Sequence, residues 1–293
     1  MVDKGKNMNQ ILVIGANSVS GQDIIQSLQK HPDKYYILGS TSGDKPVPGV
    51  HKTLTGINLS EPSAISSILK QIGNVDISHI LYIPARGMVG LPTTYSTKEM
   101  VEESFAYSVI PMLQLTKELK PLKTICFSGF ITMPPMLLCY GCMALTKIIM
   151  EELAIQFPDK LQVIRLGMFF SKSVRGIALA TQRSIREGKY PELKPMLKEW
   201  KESGQKFNHY FFDKNWFYEE NIYKNFANNS SISFRKTVPE DITKAVYTCL
   251  EGEKAPIINV LGDWVWTDTK MIPVPDEIES IRSFAPKDLN LYF

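Results

Sequence analysis

The chain has 293 residues, a formal net charge of +3 and a hydrophobic content of 44%. These values are typical of a globular protein with one large domain, or with one domain and an appended lobe. The sequence excludes a membrane-spanning helix, because no apolar run approaches the roughly 20 residues that cross a bilayer. The polar start, residues 1 to 7, also lacks the apolar core of a signal peptide. We therefore expect a cytoplasmic protein, and the small charge gives no reason to expect nucleic acid or a membrane as partner.

The first predicted elements are a strand, a glycine-containing turn and a helix. Residues 11 to 14 are an apolar run rich in β-branched side chains, which predicts a strand buried on both faces. Gly15 ends the run, Asn17, Ser18 and Ser20 favour a turn and a helix cap, and a helical period begins at Gly21. Such a turn directs backbone N–H groups and a helix dipole towards a phosphate. The stretch indicates a dinucleotide site; the alternative is an ordinary strand–helix turn.

Strands and helices then alternate to about residue 170. The predicted strands are Tyr35 to Gly39, Lys52 to Leu54, His79 to Pro84, Lys123 to Ser128 and Leu161 to Leu166. The predicted helices are Glu61 to Ile72, Lys98 to Leu119 and Tyr140 to Phe157. This alternation requires parallel strands with crossover helices, so the predicted fold class is α/β with a doubly wound parallel sheet of Rossmann type.

The pattern changes after residue 170. Residues 171 to 237, here called the insert, carry many charges and aromatic side chains without visible strand–helix alternation. A helix over Pro239 to Leu250 and a strand over Ile257 to Leu261 restore the earlier order. The expected division is a dinucleotide-binding domain of residues 8–170 and 238–274, with a smaller, mainly helical substrate lobe of residues 171–237 and 275–293. We expect some of its aromatic side chains to line the ligand pocket.

Four cysteines admit two interpretations. Cys139 and Cys142 form a C-x-x-C pair, a spacing found in redox and metal sites. No second pair exists, and the four histidines lie far away in sequence. We therefore expect reduced thiols and no metal site.

Cofactor selectivity can be argued from the residues that follow the second strand. A site selective for NAD places an acidic residue there for the ribose hydroxyls. This chain has Ser40, Thr41 and Ser42, with Lys45 soon after and Asp44 as the sole acid. Hydroxyls and a cation accept a 2′-phosphate better than a carboxylate does, which favours NADP(H) over NAD(H).

Several ordered motifs resemble the short-chain dehydrogenase/reductase superfamily, in its extended and atypical branches, NmrA-like or epimerase-like. Its opening G-x-x-x-G-x-G resembles Gly15-Ala-Asn-Ser-Val-Ser-Gly21, with Val19 in place of the second glycine. The resemblance covers about residues 8 to 170 and 238 to 274; the insert matches no family that we can name.

The resemblance implies further cofactor contacts. Asn58-Leu59 falls where the family has an acid that contacts adenine, and Pro84-Ala85-Arg86 falls beside the cofactor ribose. Leu166-Gly167-Met168 resembles the turn that passes the nicotinamide. The implied cofactor-binding set is Gly15, Asn17, Ser18, Val19, Ser20, Gly21, Ser40, Thr41, Ser42, Asn58, Leu59, Pro84, Ala85, Arg86, Lys147, Leu166, Gly167 and Met168.

The active-site motif departs from the family pattern. The family's Y-x-x-x-K aligns with Met143-Ala-Leu-Thr-Lys147, so the lysine that holds the ribose is present and the tyrosine is replaced by a thioether that cannot donate a proton. Tyr140 is a candidate donor, since on a continuous helix it would lie within ~20° of Lys147; the alternative is a packed aromatic. Ser128 matches the serine that bonds the substrate oxygen, or else is a strand-end hydroxyl bonded to backbone. Tyr82, Tyr107 and Tyr210 are further phenols that we cannot rank.

The predicted function is an NADP-dependent oxidoreductase, most simply a reductase. It would transfer hydride between nicotinamide and a carbonyl or conjugated alkene of a small organic substrate, with Lys147, Tyr140 and Ser128 as catalytic candidates. One alternative is a catalytically inactive NmrA-like sensor of the dinucleotide, and another is a nucleotide-sugar epimerase or dehydratase. A donor lining an open pocket favours the enzyme, whereas apolar side chains filling that space favour the sensor. Either a monomer or a homodimer is expected.

Overall fold

The fold is described from a computed structural model, which describes residues 8–226 and 232–293. The predicted polar extension at residues 1 to 7, and residues 227 to 231 of the insert, lie outside the described residues. The strands are β1 Asn9–Ile14, β2 Tyr35–Ser40, β3 Lys52–Leu54, β4 His79–Tyr82, β5 Lys123–Gly129, β6 Leu161–Leu166, β7 Ile257–Leu261 and β8 Trp264–Asp268. The helices are α1 Val19–Leu28, α2 Ala64–Ile72, α3 Lys98–Ser108, α4 Ile110–Leu119, α5 Pro134–Leu137, α6 Met143–Gln156, α7 Lys172–Arg186, α8 Lys194–Ser203, α9 Phe207–Phe226, α10 Pro239–Leu250 and α11 Asp276–Glu279.

The strands form one eight-stranded sheet in the order β3-β2-β1-β4-β5-β6-β7-β8. All neighbouring strands pair in parallel except β7 and β8, which are antiparallel. The predicted doubly wound sheet is therefore confirmed. β2 lies on one side of β1 and β4 lies on the other, so the order of the strands reverses at β1. In sheets of this kind the ligand binds at such a reversal, here at the carboxyl ends of β1 and β4.

Helices cover both faces of the sheet. Leu12 and Ile14 point into a core shared with α2, α3, α4 and α6. Ile11 and Val13 point to the other face, where α1 and α10 pack. All four side chains are fully buried, which confirms the prediction that this strand is buried on both faces. β1 therefore lies in the middle of the sheet.

Two predicted helices have different boundaries from those that the sequence suggested. The single helix expected over Lys98 to Leu119 is wrong, because it breaks at Val109, whose φ is −115°. Pro111 has no N–H to continue the hydrogen bonds of α3 and is tolerated in the first turn of a helix, so a new helix begins at Ile110. The helix expected from Tyr140 starts instead at Met143. Gly141 has a φ of +51°, which stops an α-helix from extending back to Tyr140.

The described residues of the insert form α7, α8 and α9, which share a third core with the ends of the sheet. Phe211, Phe212 and Trp216 of α9 are among the buried aromatics of this core. They pack with Met168 after β6 and Met136 of α5. The sequence prediction missed β8, whose Trp264 and Trp266 rings are stacked with centroids 3.9 Å apart.

Candidate functional site

A cavity of about 780 Å³ lies at the carboxyl edge of the parallel sheet. It extends from the turn after β1 to the turn after β6, and residues of α6, α7 and α9 complete its wall. Sequence-predicted residues on this wall are Gly15, Asn17, Ser18, Val19, Ser20, Ser40, Thr41, Ser42, Leu59, Pro84, Ala85, Arg86, Ser128, Tyr140, Lys147, Leu166, Gly167 and Met168. The fold thus brings most of the predicted site residues to one cavity. Gly21 and Asn58 do not line it.

The turn between β1 and α1 presents free backbone donors to the cavity. Ser18 caps the helix by accepting a hydrogen bond from Gly21 N–H at 3.0 Å. Val19 and Ser20 are the first two helical residues, so their N–H groups have no carbonyl partner within the helix, and no hydrogen bond in the described structure uses them. This arrangement favours an anion.

Two glycines allow the turn to be this tight. Gly15 has a φ of +83°, a conformation that glycine adopts without strain. A Cβ on Gly21 would lie 2.6 Å from the carbonyl oxygen of Gly15, so the helix approaches the strand end more closely than any other residue permits. Gly21 thus acts through packing beneath the cavity wall.

The end of β2 is fixed to this turn by hydroxyl groups. Gly15 N–H donates to Ser40 Oγ at 3.3 Å, and the Asn17 side-chain amide donates to Thr41 Oγ1 at 2.7 Å. Ser42 is exposed on the cavity wall. Lys45, expected near a 2′-phosphate, is exposed and is not a lining residue. Among the described lining residues the sole carboxylate is Glu219, so no acid faces the cavity at the end of β2.

Arg86 gives the same end of the cavity a cation. Its guanidinium lies 5.8 Å from the centroid of the Tyr107 ring and donates to Ser60 Oγ at 3.2 Å. Asn58 is exposed, and its side chain is hydrogen-bonded to Glu61 and to the backbone N–H of Ser60. Ile57 and Leu59, the neighbours of Asn58 in sequence, form the apolar wall of the cavity here.

Lys147 lies on α6, one turn after Met143, and its side chain is buried. Its Nζ donates to the carbonyl oxygen of Phe127 at 2.6 Å. Burial lowers the pKa of the ammonium to about 8. Met143 is buried against Gly87, and Ser104 Oγ donates to its sulfur at 3.3 Å. The thioether therefore occupies the wall beside the lysine without supplying a proton.

Ser128 is held by a buried ion pair behind the cavity. Its Oγ donates to Glu151 Oε1 at 2.7 Å, and Arg165 Nη2 contacts Glu151 Oε2 at 2.5 Å. Arg165 also donates to Asn259 at 2.7 Å and contacts Asp268 at 3.3 Å. The hydroxyl proton of Ser128 thus points away from the cavity, and its oxygen is left as an acceptor there.

Tyr140 lines the cavity from the turn before α6 and is half-buried. It does not lie on the helix of Lys147, so the angular relation expected from a continuous helix does not hold. Burial raises the pKa of its phenol above the ordinary value, which makes it a weaker acid. Its assignment as proton donor stays a prediction.

The other phenols differ in their access to the cavity. Tyr82 is buried, and its hydroxyl donates to the carbonyl oxygen of Tyr107 at 2.6 Å. Tyr210 donates to Glu199 at 2.9 Å within the insert. Of the three, Tyr107 alone is a lining residue, at the Arg86 end.

Glu219 is a lining residue that the sequence analysis missed. It lies on α9, its side chain is 1% exposed, and Oε1 accepts a hydrogen bond from the backbone N–H of Met168 at 2.5 Å. Its Oε2 has no hydrogen-bond partner in the described structure. Burial raises the pKa of this carboxyl to about 8, and the Met168 hydrogen bond opposes that rise. Burial therefore favours the neutral form of this group.

A sequence signal for Glu219 exists in retrospect. It follows Phe212 and Trp216 at helical spacing, on the buried face of α9. Trp216 Nε1 donates to the carbonyl oxygen of Met168 at 2.9 Å, so two α9 side chains hold both backbone groups of one residue. An acidic residue on a helix face that is otherwise aromatic and buried therefore indicates a candidate site residue.

The cysteines give no sign of a metal centre. Cys126, Cys139, Cys142 and Cys249 are free and buried. Within residues 8–226 and 232–293 no cluster of three or more histidine, cysteine or acidic side chains is placed to hold a metal ion. The same residues include no helix long and apolar enough to cross a membrane.

Comparisons with known proteins agree with this geometry at the level of the fold. No protein-family model and no curated protein matches the sequence. A short-chain dehydrogenase from Streptomyces avermitilis matches with a TM-score of 0.56 and 12% identity, over 87% of this chain and 89% of that one. An NADPH-dependent reductase involved in bacilysin biosynthesis matches with a TM-score of 0.55 and 12% identity, over 87% and 97%.

A third similar structure was solved with a bound dinucleotide. It is a short-chain dehydrogenase from Leptospira borgpetersenii with bound NAD+, with a TM-score of 0.53 and 12% identity over 87% of this chain and 92% of that one. The sheet order and the cavity at its carboxyl edge agree with these matches. This chain therefore has the Rossmann-type fold of the short-chain dehydrogenase/reductases.

Proposed function

We propose that the protein is an NADP(H)-dependent oxidoreductase that reduces a carbonyl or conjugated alkene on a small apolar substrate. The observation that carries this proposal is the continuous cavity, which joins the free N–H groups of Val19 and Ser20 to Lys147 and Ser128. One end has the chemistry to bind a pyrophosphate, and the other has ionisable and hydroxyl groups. This is also the topological switch point at which such sheets bind ligands.

The residues present fit a nicotinamide dinucleotide. A Cβ on Gly21 would fill the close approach of helix to strand that shapes the pyrophosphate turn. Ser18, Val19 and Ser20 would hold the pyrophosphate, Leu59 and Arg86 the adenosine, and Lys147 the nicotinamide ribose. Bound there, the cofactor supplies a hydride.

The side chains near the end of β2 support the preference for a cofactor with a phosphate on its adenine ribose. Ser42 offers a hydroxyl and Arg86 a guanidinium, while no described carboxylate faces that part of the cavity. A carboxylate there would repel a 2′-phosphate, and its absence favours NADP(H).

The substrate end is apolar with few polar groups. Met133, Met136 and Met143 line it together with Phe130, Met168 and Ile177. Such a wall favours a hydrophobic substrate, and the flexible thioethers tolerate variation in its shape. Ser128 Oγ donates its proton to Glu151, so its oxygen can accept a hydrogen bond from a hydroxyl group of the substrate or from a water molecule bound to the substrate.

A second candidate function is a sensor that binds the dinucleotide without catalysis. The observation that favours it is Met143, a buried thioether one turn before Lys147, where the family places its tyrosine. The open cavity and its lining donors favour the enzyme over the sensor.

Nucleotide binding tests the proposal first. We expect NADPH fluorescence to report micromolar binding, at least about tenfold tighter than NADH. Replacement Ser42→Asp should weaken NADPH at least about tenfold and leave NADH within about twofold, because the new carboxylate faces the 2′-phosphate. An exposed serine outside the cavity, Ser203→Asp, is the matched control.

Turnover tests the enzyme against the sensor. Chalcone, a conjugated aromatic enone, and benzil, an aromatic diketone, serve as probes with NADPH. Reduction of chalcone to the saturated ketone or to the allylic alcohol identifies which bond accepts hydride. Binding without reduction of either probe supports the sensor, and failure of both nucleotides to bind contradicts both functions.

A further inference from the structure

We infer that Glu219 on α9 is the catalytic residue that donates the proton in the proposed reduction. This inference rests on the proposed function, because a proton is needed where a hydride reaches a carbonyl or conjugated alkene. Glu219 lines the cavity that Ser128 and Lys147 also line. None of the sequence motifs assigns it a role.

The geometry of the carboxyl group supports this role. Oε1 is already used, since it accepts the N–H of Met168 at 2.5 Å. Oε2 is buried and has no partner among the described residues, although a buried polar atom without a partner costs roughly 1 to 3 kcal/mol. In the proposed reaction a bound substrate is the missing acceptor of a proton on Oε2, and the carboxyl group reaches it by turning from its enclosed position towards the cavity that Glu219 lines.

Burial favours the protonated form of the group. It is the cause of the raised pKa, whereas the cations on the same wall, Arg86, Lys147 and Lys172, favour the carboxylate. A general acid works best when its pKa is near the working pH, and Glu219 meets this condition at about 8. The Tyr140 phenol is a weaker acid because burial raises its pKa further.

The proposed step balances as follows. Hydride adds to the carbonyl carbon, or to the distal carbon of a conjugated alkene, and an electron pair moves onto the carbonyl oxygen. The O–H bond at Oε2 breaks, and a new O–H bond forms on that oxygen. Glu219 is left as a carboxylate, which the Met168 N–H stabilises at Oε1, and it regains its proton from water. Bound NADPH is the reductant.

The first test follows turnover of chalcone and benzil with NADPH. Glu219→Gln keeps the size of the side chain and an oxygen for Met168 N–H, but it removes the acidic proton. We expect turnover to fall about 100-fold or more, with the Kd for NADPH changed less than about twofold. Glu220→Gln, the neighbouring acid outside the cavity wall, is the matched control and should keep full turnover. Glu219→Ala should recover part of the lost turnover in added formate, which supplies a carboxylic acid to the vacated space.

The second test needs neither nucleotide nor substrate. Infrared difference spectra of carbon-13 glutamate-labelled protein, between about pH 6 and about pH 10, should show the C=O stretch of a buried neutral carboxylic acid that disappears at the higher pH. The band should be lost in Glu219→Gln and kept in Glu220→Gln. Circular dichroism of each variant checks that the fold is retained.

The outcomes separate this inference from the proposed function. Nucleotide binding with full turnover in Glu219→Gln, or the absence of the infrared band, overturns the role of Glu219 alone. Failure of NADPH and NADH to bind, or binding with no reduction of either probe by the wild-type protein, overturns the proposed function and the role with it.

Discussion

The two ends of the cavity are built in different ways. At the β1 end the wall consists largely of backbone, with Gly15, Val19 and Ser20 in one short turn. At the α9 end it consists of side chains from distant segments, such as Glu219 against Met168, 51 residues apart in sequence. A backbone-built site is encoded locally and tolerates change in its side chains. A side-chain-built site sets the chemistry and depends on how the insert packs.

The largest expected effect concerns the buried ion pair of Glu151 and Arg165 behind Ser128. Glu151→Gln leaves the buried Arg165 with Asp268 as its remaining carboxylate partner, so we expect the free energy of unfolding to fall by about 3 kcal/mol or more. Glu202→Gln removes an exposed pair with Lys198 and should change it by less than about 1 kcal/mol. Urea unfolding measures both. Equal losses in the two variants would show that the pair is not a structural element of the site.

The next effect tests the backbone-built end. Gly21→Ala places a Cβ 2.6 Å from the Gly15 carbonyl oxygen, and backbone has little room to move. We expect a loss of roughly 1 to 3 kcal/mol of stability and at least about a tenfold weaker Kd for NADPH. Gly176→Ala, where a Cβ meets no atom within 4 Å, should be neutral or stabilising. Binding and unfolding of the pair give the comparison, and undiminished NADPH binding in Gly21→Ala would contradict the pyrophosphate assignment.

This contrast also explains which features the sequence reveals. The apolar run of residues 11 to 14 and the glycines after it are local patterns, so the strand, the turn and the sheet class were predictable. The fold of residues 35 to 166 followed from the same alternation. Seven of the eight strands were predicted. The exception is the edge strand β8, whose two tryptophans were not taken as a strand pattern.

The site residues divide in the same way. Lys147 and Ser128 were identified through a resemblance and lie on the cavity wall. The relation of Tyr140 to Lys147 failed because one residue, Gly141, adopts a left-handed conformation that a helical pattern does not reveal. Glu219 was missed because its partner is the backbone of Met168, and a backbone group leaves no mark in the sequence.

A pH-dependent effect tests the side-chain-built end through stability alone. The folded-state pKa of Glu219, about 8, lies above its ordinary value of 4.5. The folded protein therefore binds a proton that the unfolded chain releases, and the contribution of Glu219 to stability is lost as pH rises between these values. Relative to Glu219→Gln, the wild-type free energy of unfolding should fall by a few kcal/mol, about 2 to 4, from about pH 5 to about pH 8. Urea unfolding at several pH values, with Glu220→Gln as the control that keeps the slope, measures it; parallel wild-type and Glu219→Gln curves would contradict a buried neutral acid.

The smallest effect concerns Lys147, whose pKa moves in the opposite sense. Burial lowers it to about 8, so the ammonium loses its charge and one of its three N–H donors as pH rises above that value. Since another donor is already used by the Phe127 carbonyl, fewer remain for a ribose. We expect the wild-type affinity for NADPH to fall by about threefold to tenfold between about pH 7 and about pH 9. Lys147→Met should bind more weakly at pH 7 and show no such slope, whereas Lys198→Met, an exposed lysine of α8, should retain it. Nucleotide fluorescence titrations at each pH measure this slope, and a slope that persists in Lys147→Met would place the titrating group elsewhere.

Glu219 and Lys147 both change state near pH 8, so the cavity holds a neutral acid and a cation together only below that value. Turnover should therefore decline above pH 8 for two separable reasons, namely weaker nucleotide binding through Lys147 and slower proton transfer from Glu219.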